Sequence, residues 1–139
     1  ADAVGASREE SKNAACFAET TELLNVLRDV TTSGTTLEGV AALYGYESQI
    51  PEISRTKIEG LTTHYGVTSD EGLSFFRVHE EADVLHREAE RDMIAELVRD
   101  RADEDRAIAA AQRVAKAFYG MLDGIVRECH VDCPMPAIA

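Results

Sequence analysis

Apolar residues along this chain fall three, four and seven positions apart, the spacing that lines one side of an α-helix. The first such set is Ala14, Phe17, Leu24, Leu27 and Val30. It follows Ser7-Arg8-Glu9-Glu10, a capping box in which the serine oxygen accepts from a first-turn amide while Glu10 reaches back. Thr31-Thr32-Ser33-Gly34 closes it. A second box, Thr35-Thr36-Leu37-Glu38, opens a helix carrying Leu37, Val40, Leu43, Tyr44 and Glu47. Pro51 predicts a kink or break at 49–51, because proline lacks an amide hydrogen and clashes with the preceding turn. The helix resumes through Ile53, Lys57, Ile58 and Leu61 and ends near Tyr65-Gly66, where glycine takes the left-handed cap. Thr68-Ser69-Asp70-Glu71 starts a long third helix running to about Arg99, with the stripe Phe76, His79, Ala82/Asp83, His86, Glu90, Met93/Ile94 and Leu97. A fourth restarts around Asp103 and carries Ile108, Ala111, Val114, Ala115, Phe118, Leu122, Ile125 and Val126. The tail from Cys129 holds Pro134 and Pro136 and is expected to be irregular. No strand-like alternation of useful length and no internal repeat occurs, so the pattern predicts one all-α domain over residues 1–139.

Composition narrows the partners. The 139 residues are 45% hydrophobic and 29% charged, a globular balance. Fourteen Lys and Arg stand against 26 Asp and Glu, a net charge of −12, which repels nucleic-acid phosphates and anionic membranes alike. No apolar run is long enough for a transmembrane helix, so neither nucleic acid nor membrane is an expected partner. The three cysteines form no C-x2-C pair, which favours a reducing compartment and a cytoplasmic location. The chain opens Ala1-Asp2-Ala3 without methionine or a targeting pattern, as a piece of a longer chain would.

The informative motif is His79-x3-Asp83-x2-His86. Positions i, i+4 and i+7 leave a helix on one side, and here that side is the apolar stripe. Buried imidazoles and carboxylates must pair with each other, with other polar groups or with a metal. Two nitrogens and an oxygen suit iron, manganese or zinc, and the carboxylate shifts preference toward iron or manganese. A solvated edge or a satisfied core network is the plainer alternative. Glu47 shares a face with Val40 and Leu43, and a second helix offering a carboxylate is how bundles build carboxylate-rich metal sites; a surface Glu beside the kink is its alternative. Tyr44 and Tyr46 flank it as hydrogen-bond donors or as core. Glu90 continues the stripe one turn onward, where a solvated position is favoured over a supporting role, and Arg87 and Arg91 are expected to pair with nearby acids. Cys129-His130-x2-Cys133 offers three zinc ligands at most, in a segment with two prolines.

The stretch Tyr44-Gly45-Tyr46-Glu47-Ser48-Gln49-Ile50-Pro51-Glu52-Ile53, then Lys57, Gly60-Leu61, Tyr65-Gly66, Phe75-Phe76 and the His79/Asp83/His86 triplet, resembles the haem-oxygenase-like di-iron oxidases, also called iron-containing redox enzymes. Relatives of that family include the chlamydial protein associating with death domains and, more distantly, pyrroloquinoline-quinone synthase and TENA-type proteins. The motifs cover 44–86. The resemblance implies a haem-oxygenase-like helical bundle in which Glu47, His79, Asp83 and His86 are iron ligands. The family adds a Glu and a His, seven apart, from an earlier helix; here Glu9, Glu10, Glu19 and Glu22 precede Glu47 but no His precedes His64. The expectation is therefore the C-terminal portion of a longer domain that lacks its N-terminal helices.

Lys57 stands ten residues after Glu47, at a position that recurs in the family's pattern. Around the Pro51 break it would act catalytically, its cation facing reactive oxygen or a carboxylate substrate; a surface lysine with its stem on apolar neighbours is the alternative. The resemblance implies a non-haem, di-iron, O2-activating oxidase acting on a small organic acid or amine, with iron (or manganese) as cofactor and O2 as co-substrate. Two other readings stand beside it. One is a metal-free cofactor-biosynthesis enzyme of pyrroloquinoline-quinone-synthase or TENA type, with His and acids moving protons. The other is a non-enzymatic helical interaction module. An apolar face left open calls for a homodimer or the missing N-terminal segment.

Overall fold

A computed structural model describes residues 5–130, and every described element is helical. The helices are α1 (Arg8–Asn13), α2 (Ala18–Thr32), α3 (Thr36–Glu47), α4 (Ile50–Tyr65), α5 (Asp70–Leu97) and α6 (Arg101–Glu128). The expected tail lies outside the described residues from 131 onward. No helix among the described residues is long and apolar enough to cross a membrane.

Start signals placed most elements. Both capping boxes form: Ser7 Oγ accepts from the Glu10 amide at 3.1 Å, and Thr35 Oγ1 from the Glu38 amide at 3.3 Å. Ser69 caps α5 by accepting from the Gly72 amide at 3.2 Å. The expected break falls at Ser48-Gln49, and Pro51 sits in the first turn of α4, where a missing amide hydrogen is harmless. Gly66 ends α4 at φ +66°, a conformation costly to other residues.

Two expectations need correction. The single first helix is two, because Ala14 turns extended (φ −61°, ψ 130°) and helix resumes only at Ala18. Helix α1 buries no residue, so nothing but weak local propensity would carry it onward. The buried face of α2 is Leu23, Val26 and Val30, whereas Ala14, Phe17 and Leu24 are exposed. The last helix starts at Arg101, in the expected neighbourhood of Asp103: Asp100 caps it, accepting from the Asp103 amide at 2.9 Å. Asp103 is itself buried, accepting from the Arg99 amide (3.0 Å) and Arg99 Nε (3.2 Å) and pairing with Arg106.

Helix α3 is central and packs against α2, α5 and α6, while α4 lies along α5. One apolar cluster joins Val26 and Val30 to Ala42, Ala110 and Val114; a second joins Leu37 and Ala41 to Ala107. Small side chains let α3 and α6 approach closely. A β-carbon at Gly45 would lie 3.3 Å from the Cα and the carbonyl oxygen of Ala111. Ion pairs brace the outside, Arg113 to Asp29 (2.6 Å) and Arg127 to Glu19 (2.7 Å) between α6 and α2, Arg55 to Glu80 (3.1 Å) between α4 and α5.

Candidate metal centre

The α3–α4 turn decides where the site forms. Glu47 is the last residue of α3, and the contact of α3 with α5 carries its carboxylate to the middle of the long helix. Arg87 of α5 holds that junction, donating to the Ser48 carbonyl at 3.2 Å and lying 3.8 Å from Glu52. A cation against terminal helix carbonyls is favourable. Asp83 and His86 meet Glu47 there. His86 Nδ1 lies 3.0 Å from Asp83 Oδ1 and 3.2 Å from Glu47 Oε2. Ionised carboxylates only accept, so Nδ1 carries the proton in this arrangement. One ligand atom from each of the three residues falls within 4.8 Å of the others.

Asp83 is buried, Glu47 half-buried and His86 more than half exposed, so the cluster is closed underneath and open above. His79 lies one turn back and does not join the three. Its Nδ1 donates to the Phe75 carbonyl at 2.7 Å, and its ring stacks on Phe75 with centroids 4.1 Å apart. Because a carbonyl cannot donate, the proton is on Nδ1 and Nε2 is left with its lone pair, the tautomer that metal-binding histidines use.

Other candidates fall elsewhere. Lys57 is exposed on α4, in a groove of about 390 Å³ with Glu52, Ile53, Thr56, Phe118 and Leu122, outside the carboxylate cluster. The groove and the cluster share a wall: Tyr46, next to Glu47, packs edge-on against Phe118 at 5.4 Å. Burial, then the charges of Glu47 and Asp83, push the Tyr46 phenol up. Arg91 pairs with Asp92 at 3.5 Å on the exposed side. Cys129 and His130 join no ligand group among the described residues, and Cys133 lies outside them.

Glu90 overturns its sequence expectation, since it is buried rather than solvated. Its carboxyl is pushed up to about 7 by burial and then by the Glu47 charge; His86 opposes the rise and Asp83 adds to it. Its position on the stripe was readable, but its burial depended on what lies opposite.

The donor set, one imidazole and two carboxylates with a further imidazole nitrogen free one turn away, fits a divalent cation of the iron or manganese kind. The buried, unpaired Glu90 Oε2 beside it adds negative charge that a cation would balance.

Comparison with known proteins agrees with this chemistry. A family model described as iron-containing redox enzyme matches residues 1–119, and the chain belongs to that family. A 4-aminobenzoate synthase of Chlamydia trachomatis is 46% identical over 97 residues, 66% of this chain and 41% of the relative. The 4-aminobenzoate synthase of Nitrosomonas europaea is 34% identical over 123 residues, 88% of this chain and 50% of the relative. The chain thus spans about half the length, or less, of these curated relatives.

Proposed function

We propose that this chain supplies the Glu47, His79, Asp83 and His86 side of a two-iron, O2-activating oxidase centre acting on a small organic acid or amine. The observation that carries this reading is the convergence of Glu47 from α3 on Asp83 and His86 of α5, 39 residues apart in sequence for Glu47 and His86. Iron held there would supply electrons and open coordination positions for O2.

The chain's own groups do the rest. Asp83 brings a buried charge, and Glu47 brings a second carboxylate from α3 to the same point, where it would bind a cation together with Asp83 and His86. His79 presents Nε2 once its other nitrogen is held by Phe75. The groove between α4 and α6 offers an apolar wall, Ile53, Phe118 and Leu122, with one ammonium, Lys57. That combination suits a flat apolar body bearing a carboxylate, in keeping with the 4-aminobenzoate for which the relatives are named.

The exposed apolar side of α5, with Phe75, Val78 and Leu85 each at least 60% exposed, supports a covering segment. A chain of the relatives' length would provide it, and a second copy is the competing occupant.

Iron content after anaerobic Fe(II) loading tests the proposal, on this chain and on one extended to the relatives' length. The longer chain should take up two irons, and Glu47→Ala, Asp83→Ala and His86→Ala should each lower uptake. A longer chain that folds and binds no iron overturns the reading.

A further inference from the structure

Glu90 lies on α5 four residues beyond His86 and seven beyond Asp83, so all three leave the helix on one side. It is 9% exposed, and its Oε2 is buried with no hydrogen bond. Buried carboxyl oxygens are nearly always bonded, and one left unpaired costs stability. No ion pair of Glu90 exists among the described residues to compensate, and the charges around it are Glu47, Asp83 and His86. Three carboxylates thus share a small volume with one imidazole. That is a poor arrangement for folding and a good one for holding a cation.

Direct coordination alongside the other three does not match the geometry, because Glu90 stands outside the group whose ligand atoms fall within 4.8 Å. We propose that Glu90 is a positioning residue of the metal centre, its free Oε2 accepting a hydrogen bond from a water molecule carried by a cation at Glu47, Asp83 and His86. The proposal rests on the metal-centre reading and adds a residue to it. Groups that orient a metal's ligands in this way typically change affinity by about 10–100-fold when lost. The unpaired oxygen is then a stability cost retained for binding.

Co(II) titration tests this, followed by visible absorption and calorimetry on the longer chain, with Glu90→Leu and Glu90→Gln beside the parent. Glu90→Leu should melt at or above the parent temperature without metal, yet bind Co(II) about 10–100-fold more weakly, with an altered absorption band. Glu90→Gln keeps an acceptor oxygen and should recover much of the affinity. A folded Glu90→Leu protein with parental affinity and spectrum overturns the proposal. So does unfolding of both variants, which would make Glu90 a structural residue. A parent that binds no Co(II) instead removes the metal-centre reading itself, and the two failures are distinguishable.

Discussion

Glu90 also ties the stability of the metal-free chain to pH. Its folded carboxyl titrates near 7 rather than the ordinary 4.5, because burial and Glu47 both disfavour the anion. Below about 4.5 the proton is bound in folded and unfolded chains alike and the stabilisation is fully present; it is lost as pH rises through about 7. Linkage caps the effect at roughly 3 kcal/mol. The groups facing Glu90 are Glu47, Asp83 and His86. Thermal melts of the metal-free protein should therefore fall between about pH 5 and pH 8, and Glu90→Gln should flatten that fall. An unchanged slope in the variant would reject it. Asp103 acts with the opposite sign: the Arg99 amide, side chain and charge hold its carboxyl low despite burial, so its contribution is present above the ordinary 3.8 and lost on acidification. That Asp83 and His86 share a side of α5 was readable from spacing, because helix period fixes it; that Glu47 meets them and His79 does not was not. Nor was the burial of Glu90, since it depends on how α3 crosses α5.

Helix beginnings were the most legible elements, because capping is local chemistry and Ser7, Thr35 and Ser69 all cap as expected. The gap at 14–17 was invisible, because its residues break no helix rule and only the lack of a packing neighbour ends α1. Close approach of helices was equally hidden. At Gly45, two residues before Glu47, alanine would gain about 1 kcal/mol of helix propensity but meet Ala111 backbone at 3.3 Å. Gly60 has nothing within 4 Å of the same added carbon. Glycine-to-alanine at 60 should raise stability by about 0.5–1 kcal/mol. The same change at 45 should bring no such gain, and should weaken Co(II) binding as α3 shifts by tenths of an ångström. Denaturant melts and titrations on the pair check this; equal gains with unchanged affinity would mean that α6 yields freely.

For the molecule as a whole, the helical class and the family were readable, because period and motif are local features that need no more than the residues present here. What covers the exposed side of α5 was not, since a helix period marks an apolar side without naming its neighbour. With a net charge of −12, repulsion opposes compaction, so added salt should raise the melting temperature near neutral pH. Salt should also promote association of this chain through Phe75, Val78 and Leu85. Sedimentation velocity should show that association weakened by Phe75→Ser with Leu85→Ser, and absent in the longer chain. A monomer at every salt concentration would leave that face without a role in assembly.

Glu47 closes α3 as its last residue, so its negative side chain stands at the negative pole of its own helix. An acid at that end is the wrong sign for the helix dipole, at a cost of about 0.3–1 kcal/mol. Arg87 answers part of it through the Ser48 carbonyl. A divalent ion would meet carboxylate and helix end as a single pole and settle both. Loading the centre should then protect the amides of the last α3 turn from hydrogen exchange, and the backbone would register whether the centre is filled.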